Sequence, residues 1–140
     1  MSIVDRASKL VKLIKVQSRE KKIVCDALIK RLGRKKVCAH TITSDNVKEF
    51  ADHARVASVL NARFYFAKPY HLWDHGLNEH SNGLVRQYFP KGISFDILSN
   101  KVLRAVENKL NSRPRKCLNF STRLEVFFRL FNFEIFALQT

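Results

Sequence analysis

Residues that break or crosslink a chain are scarce here. Four Gly and three Pro among 140 residues, with 46% hydrophobic residues, exclude a disordered or linker-like polypeptide and fit one globular domain with a single core. Cys25, Cys38 and Cys117 are an odd count without a CxxC pair. That excludes a disulfide framework and a thiolate zinc site and leaves reduced core or surface thiols. No apolar run approaches the roughly 20 residues that cross a bilayer. Met1-Ser2-Ile3-Val4-Asp5 also lacks the charged-then-apolar layout of a signal peptide, so no membrane partner and a cytoplasmic location are expected. Internal repeats and low-complexity segments are absent. Acids are sparse: 12 Asp plus Glu face 26 Lys plus Arg, a net charge of +14. Such a balance favours a polyanionic partner, nucleic acid before a membrane surface.

What is present alternates between strand and helix signals. Ile3-Val4 and the run Leu10 to Val16, separated by Asp5-Arg6-Ala7-Ser8, predict a hairpin. Ile23, Val24, Ala27, Leu28 and Leu32 recur at helical spacing, with Gly33 as the stop. The basic run Arg34-Lys35-Lys36 then reads equally as a complement to the helix dipole and as a binding patch. Val37 to Thr43 predicts a buried strand ending at Ser44-Asp45-Asn46, which places Asp45 at a strand's C-terminal end. Phe50, Ala54, Ala57 and Leu60 make one face of a helix, and Arg63 to Ala67 a further strand. Beyond Gly92, Ser99 caps a helix carrying Val102, Leu103, Val106 and Leu110, closed by the loop from Asn111 to Lys116. Thr122-Arg123-Leu124-Glu125 has the capping-box pattern and opens a helix with Leu124, Phe127, Phe128 and Phe131 on one face; Asn132 to Thr140 shows no pattern. This order implies a mixed sheet covered by helices, with sites at strand ends.

The chemically densest stretch runs from Asn78 to Gly92 and reads as one helix stopped by Pro90 and Gly92. Glu79, Asn82, Gly83 and Arg86 fall on one stripe, while Leu84, Val85, Tyr88 and Phe89 cover the packing side. Gly83, without a side chain, is expected to admit a second backbone close by. Pro69 and Gly76 predict a loop ahead of this helix. His71 and His75, four apart and near His80, raise a zinc site that such a loop argues against. Tyr70 and Trp73 suit either stacking on a base or roofing the core. Arg113, Arg115 and Lys116 around Pro114 fit either a phosphate-contacting loop or a solvated charge run.

Thr43 to Phe50, Pro69 to Gly92, Leu110-Asn111-Ser112-Arg113-Pro114-Arg115-Lys116 and Leu124-Glu125-Val126-Phe127 together closely resemble the catalytic core of DDE transposases of the insertion-sequence-thirty family, a branch of the integrase and ribonuclease-H-like superfamily. The resemblance runs from about Ile3 to Phe128. It implies an α/β fold, a partial ribonuclease-H-like (integrase core) mixed sheet with flanking helices, spanning residues 1–92. Residues 93–140 would be the helical C-terminal part of the same domain. It also implies two Mg²⁺ (or Mn²⁺) ions held by carboxylates for in-line phosphoryl transfer, chemistry that requires hard oxygen ligands. By the same matching Asp45 is the second acid and Glu79 the third, both metal ligands. Asn82, Arg86, Lys91, Arg113, Arg115 and Lys116 are assigned to DNA.

Departures from the family are Val47 for Gly, Arg123 for Pro, and the segment after Phe128. The family's first catalytic Asp lies on a strand preceding the segment that matches Ile3 to Ser8, so the first strand is expected to be missing; Asp5 aligns with a non-catalytic position. The expectation is therefore a truncated or decayed transposase reading frame, inactive by itself. Its expected partners are DNA (element ends and target), a second copy or an intact transposase, at the bacterial nucleoid. The alternatives are a non-enzymatic, basic DNA-binding regulator of transposition and a zinc-dependent hydrolase.

Overall fold

The computed structural model describes residues 1–18, 20–33, 39–44, 48–67, 72–90, 92–93 and 98–137, with the backbone alone at 72–75, 77–78 and 132–137. In chain order the elements are β1 (Ser2–Val4), β2 (Val11–Leu13), α1 (Lys21–Gly33), β3 (Thr41–Ser44), α2 (His53–Leu60), β4 (Arg63–Phe66), α3 (Leu72–Arg86), α4 (Asn100–Asn111) and α5 (Arg123–Ala137). A 3-10 turn covers Lys116–Leu118. Among the described residues the strands pair as β1 with β2, antiparallel, and β3 with β4, parallel. The chain divides into two compact units, one of Met1 with Ile14–His75 and one of Ser2–Leu13 with Gly76–Thr140, so the boundary falls inside α3.

In the first unit Thr41 lies beside Arg63 and Ser44 beside Phe66. Parallel strands cannot be joined by a tight turn, and α2 supplies the crossover. Backbone bonds from Arg63 N–H to His40 O (3.0 Å) and from Ala67 N–H to Ser44 O (2.8 Å) extend the ladder at both ends. Of the buried strand expected at Val37 to Thr43, β3 takes Thr41 to Ser44 and is mostly exposed: Thr41 and Thr43 face solvent, Ile42 is half-buried and Ser44 alone of the four is buried. Val37 and Cys38 lie outside the described residues. On α1, Val24, Cys25, Leu28 and Leu32 are buried at the spacing the sequence shows. Burial, reinforced by the Asp52 carboxylate, pushes the Cys25 thiol up, so it stays protonated and inert. Phe50 sits in the turn before α2 and not on it. Its ring lies 5.5 Å from Phe64, and His53 meets Phe66 edge-on at 5.0 Å. Arg55 ties α2 to α1 through Asp26 and also bonds Asp52 at 3.0 Å.

The second unit begins with the hairpin. Its turn is closed by Asp5, whose carboxylate accepts the Ser8 N–H at 2.8 Å and the Ser8 hydroxyl. Lys9 beside it takes a left-handed backbone, φ 62. Asp5 thus has a turn-forming role. Asp5 N–H donates to Leu10 O at 2.9 Å. By antiparallel alternation Val11 and Leu13 therefore turn their backbone groups away from β1. Asn111 Oδ1 accepts the Val11 N–H at 2.9 Å, its Nδ2 donates to Val11 O at 2.7 Å, and Glu107 Oε2 accepts the Leu13 N–H at 2.8 Å. One helical turn of four residues rises about 6 Å, close to the ~6.8 Å two-residue repeat of a strand. Two side chains of α4 can therefore stand where a third strand would.

Around them Val11, Leu13, Phe89, Leu103, Val106 and Leu110 form a core, against which Val4, Leu84, Val85, Tyr88 and Leu98 pack. Ser99 caps α4, its hydroxyl accepting the Val102 N–H at 3.3 Å. Val102, expected on the apolar face, is exposed, and Asn111, expected in the closing loop, is the buried last residue of the helix. α5 runs on to Ala137, through the stretch where the sequence shows no pattern, and Phe128 on it is exposed.

The capping box at the start of α5 is formed: Thr122 N–H donates to Glu125 Oε2 at 2.7 Å and Glu125 N–H to Thr122 Oγ1 at 3.1 Å. Hydrogen bonds from the Thr122 N–H and then its hydroxyl favour the charged carboxylate and hold Glu125 below its usual value. A lowered folded pKa contributes stability above the unfolded carboxylate value and loses it as the pH falls through the folded one. Glu125→Gln should therefore lower the melting temperature at neutral pH, and the difference from wild type should shrink on acidification. A thermal-melt series across the carboxylate range checks it.

Candidate nucleic-acid interface

α3 begins at Leu72, so Gly76 lies inside the helix and not in the loop expected there. Its cost of about 1 kcal/mol relative to Ala, like that of Gly83 further along, is tolerated within α3. Glu79, Asn82, Gly83 and Arg86 are all exposed, while Leu84, Val85, Tyr88 and Phe89 meet the core. The two faces are those the spacing predicts. Asn82 has a neighbour the sequence does not show: its Oδ1 accepts the Ser2 hydroxyl of β1 at 2.6 Å, which fixes the polar stripe to the hairpin. A Cβ placed on Gly83 would meet nothing within 4 Å, so among the described residues the expected close backbone approach is not made. Ser81, on the inner side, is fully buried with an unpartnered hydroxyl.

Several expected site residues lie outside the described residues: Asp45, Lys91, His71 and Tyr70, as does the basic run Arg34-Lys35-Lys36. β3 ends at Ser44, the residue that precedes Asp45 in the sequence. Among the described residues no three His, Cys, Asp or Glu gather where a metal ion would sit. Glu79 has the hard oxygens Mg²⁺ prefers, but one exposed carboxylate does not hold a pair of ions, and the described residues alone do not make a two-metal or a zinc centre.

The second basic element is the loop joining α4 to α5. Pro114 and Thr122 form an antiparallel bridge, Arg115 N–H donates to Ser121 O at 3.1 Å, and Phe120 N–H to Arg115 O at 2.9 Å. Asn119 and Phe120 take left-handed conformations, φ 50 and 61, to close the loop around the 3-10 turn. Arg113 and Lys116 are exposed on it and Arg115 is half-buried. Sequence spacing missed Arg123, whose side chain is buried at 2% exposure. The one signal for it was its place where the resembled family has Pro.

No protein-family model matches the chain. Over 132 residues, 94% of its length, the chain is 46% identical to the transposase for insertion sequence element IS4351 of Bacteroides fragilis, covering 40% of that protein. It is 33% identical over 126 residues to transposase InsI for insertion sequence element IS30A of Escherichia coli (strain K12), covering 33% of it. The chain thus spans well under half the length of these relatives. Among solved structures it matches the catalytic core domain of BIV integrase with a TM-score of 0.72 at 19% identity, covering 96% of this chain and 88% of that one. That likeness shows a ribonuclease-H-like, mixed α/β fold. No described helix is long and apolar enough to cross a membrane.

Proposed function

We propose that this chain, a homologue of insertion-sequence transposases with the fold of the integrase catalytic cores, binds DNA and serves its transposition. The observation that carries the reading is the 46% identity to a transposase along 94% of the chain. The charge of +14 supports it, because cations that neutralise phosphates release condensed counterions on binding. The phosphate-facing residues of this reading are Asn82 and Arg86 on α3, Lys91, and Arg113, Arg115 and Lys116 in the α4–α5 loop. The carboxylates are Asp45 and Glu79, carried over from the resemblance.

The test is binding to duplex DNA, with and without element ends, at graded salt. Log K should fall linearly with log salt, by about 0.9 per phosphate contacted. Affinity independent of salt defeats the reading. With Mg²⁺ or Mn²⁺ added, the chain alone is expected to leave the duplex unnicked. Nicking that is lost in both Asp45→Ala and Glu79→Ala overturns that inactivity and supports the two acids; nicking that survives both overturns their assignment. A second reading, a non-enzymatic regulator of transposition, is favoured by the excess of cations over acids. It is distinguished by DNA binding that a chelator leaves unchanged and by the ability to occupy element ends against an intact transposase.

A further inference from the structure

The α4–α5 loop buries more positive charge than it pairs. Arg123 is 2% exposed, and its Nε and Nη1 are buried without a hydrogen-bond partner; so are Nε and Nη2 of Arg115. The bridge between Pro114 and Thr122 keeps the two arginines together, each next to one of the bridged residues. They are close enough that, after burial itself, the Arg115 charge is the main influence holding the Arg123 guanidinium below its ordinary value. The nearest acid in sequence, Glu125, already accepts the Thr122 N–H. Guanidinium donors that are desolvated, adjacent and unpaired are costly unless an anion joins them. Nε and Nη2 of Arg115 are the edge of the arginine fork that grips two oxygens at once, and phosphate matches that geometry, with Nε and Nη1 of Arg123 as further single donors.

We propose that Arg115 and Arg123 form a site for one phosphate group, supplied by a DNA backbone. The source of the phosphate rests on the DNA-binding reading above; the oxyanion site itself does not. Arg123 is the first residue of α5 after the capping Thr122. Its N–H is one of the donors a helix leaves free, and Pro is well accommodated at that position. Arg123→Pro therefore removes the charge while keeping the helix start. Phe120, 71% exposed and bonded through its N–H to Arg115 O, is placed to stack on an unpaired base beside the phosphate.

Melting temperature is measured at low salt with inorganic phosphate against an equal ionic strength of chloride, for wild type, Arg115→Gln, Arg123→Pro and Arg123→Met. Phosphate should stabilise wild type beyond chloride and do so in none of the variants, while Arg123→Met melts at or above wild type without phosphate. Equal responses to phosphate and chloride, or a phosphate response kept in the variants, overturn the site. On duplex DNA each variant should flatten the log K against log salt slope by about 0.9, and on single strands by about 0.7. Slopes unchanged in variants that have lost the phosphate response overturn the DNA source. Phe120→Ala should weaken single-strand binding while leaving the phosphate response intact. Absence of all DNA binding with the phosphate response preserved overturns the proposed function but not the oxyanion site.

Discussion

Asn111→Leu should destabilise the second unit by about 2–6 kcal/mol, since it strips partners from two buried backbone groups that cost about 1–3 kcal/mol each when left unmade. Val11 is fully buried, so water does not replace the lost amide. The substitution is close in volume and apolar, which isolates the hydrogen bonds from packing. Glu107→Gln keeps an acceptor for the Leu13 N–H and should cost clearly less, though it also removes the charge from a buried carboxylate that pairs with the half-exposed Arg104 at 3.4 Å. Urea unfolding at constant slope measures both. A loss under about 1 kcal/mol for Asn111→Leu would mean that the α4 side chains do not act as the neighbour of β2.

Phe89→Ala should cost about 3–5 kcal/mol, the range for removing a buried ring from a core that does not collapse. Phe89 is 6% exposed and sits with Val11, Leu13, Leu103, Val106 and Leu110. It follows the last turn of α3, with its N–H on Val85 O at 3.0 Å, so it anchors the helix that carries Glu79 and Arg86. Glu79→Gln, on the exposed face of the same helix, should shift stability by no more than about 0.5 kcal/mol. The contrast separates the two faces: if Glu79→Gln unfolds the protein as Phe89→Ala does, its side chain is structural and not available for chemistry.

Local signals were legible wherever the answer depends on neighbours in sequence. The faces of α3, the Ser99 cap and the Thr122–Glu125 capping box follow from spacings of three and four, and the structure has each of them. The start of α3 was not legible, because Gly76 reads as a breaker, yet α3 runs through both Gly76 and Gly83. Nor were Asn111 and Glu107: an amide at a helix end reads as a loop residue, and their partners on β2 lie 100 and 94 residues away. Arg123 was hidden for the same reason, since burial of a cation is decided by the fold of the loop around it. Asp45 could be placed after a strand by pattern, and β3 does end at Ser44. The pairing of Asp45 with Glu79 rests on the resemblance and is for mutagenesis to decide.

The hairpin sheet has two unlike borders. Along β2 the Val11 N–H and C=O and the Leu13 N–H are taken up by Asn111 and Glu107, three of the four outward groups, whereas along β1 those of Ser2 and Val4 point away from β2 with no partner among the described residues. Any polypeptide segment that joins this sheet must therefore add beside β1. Two copies meeting through that border would satisfy each other by a twofold axis and present outward the borders that α4 side chains largely occupy, an arrangement that favours a closed pair over a fibre.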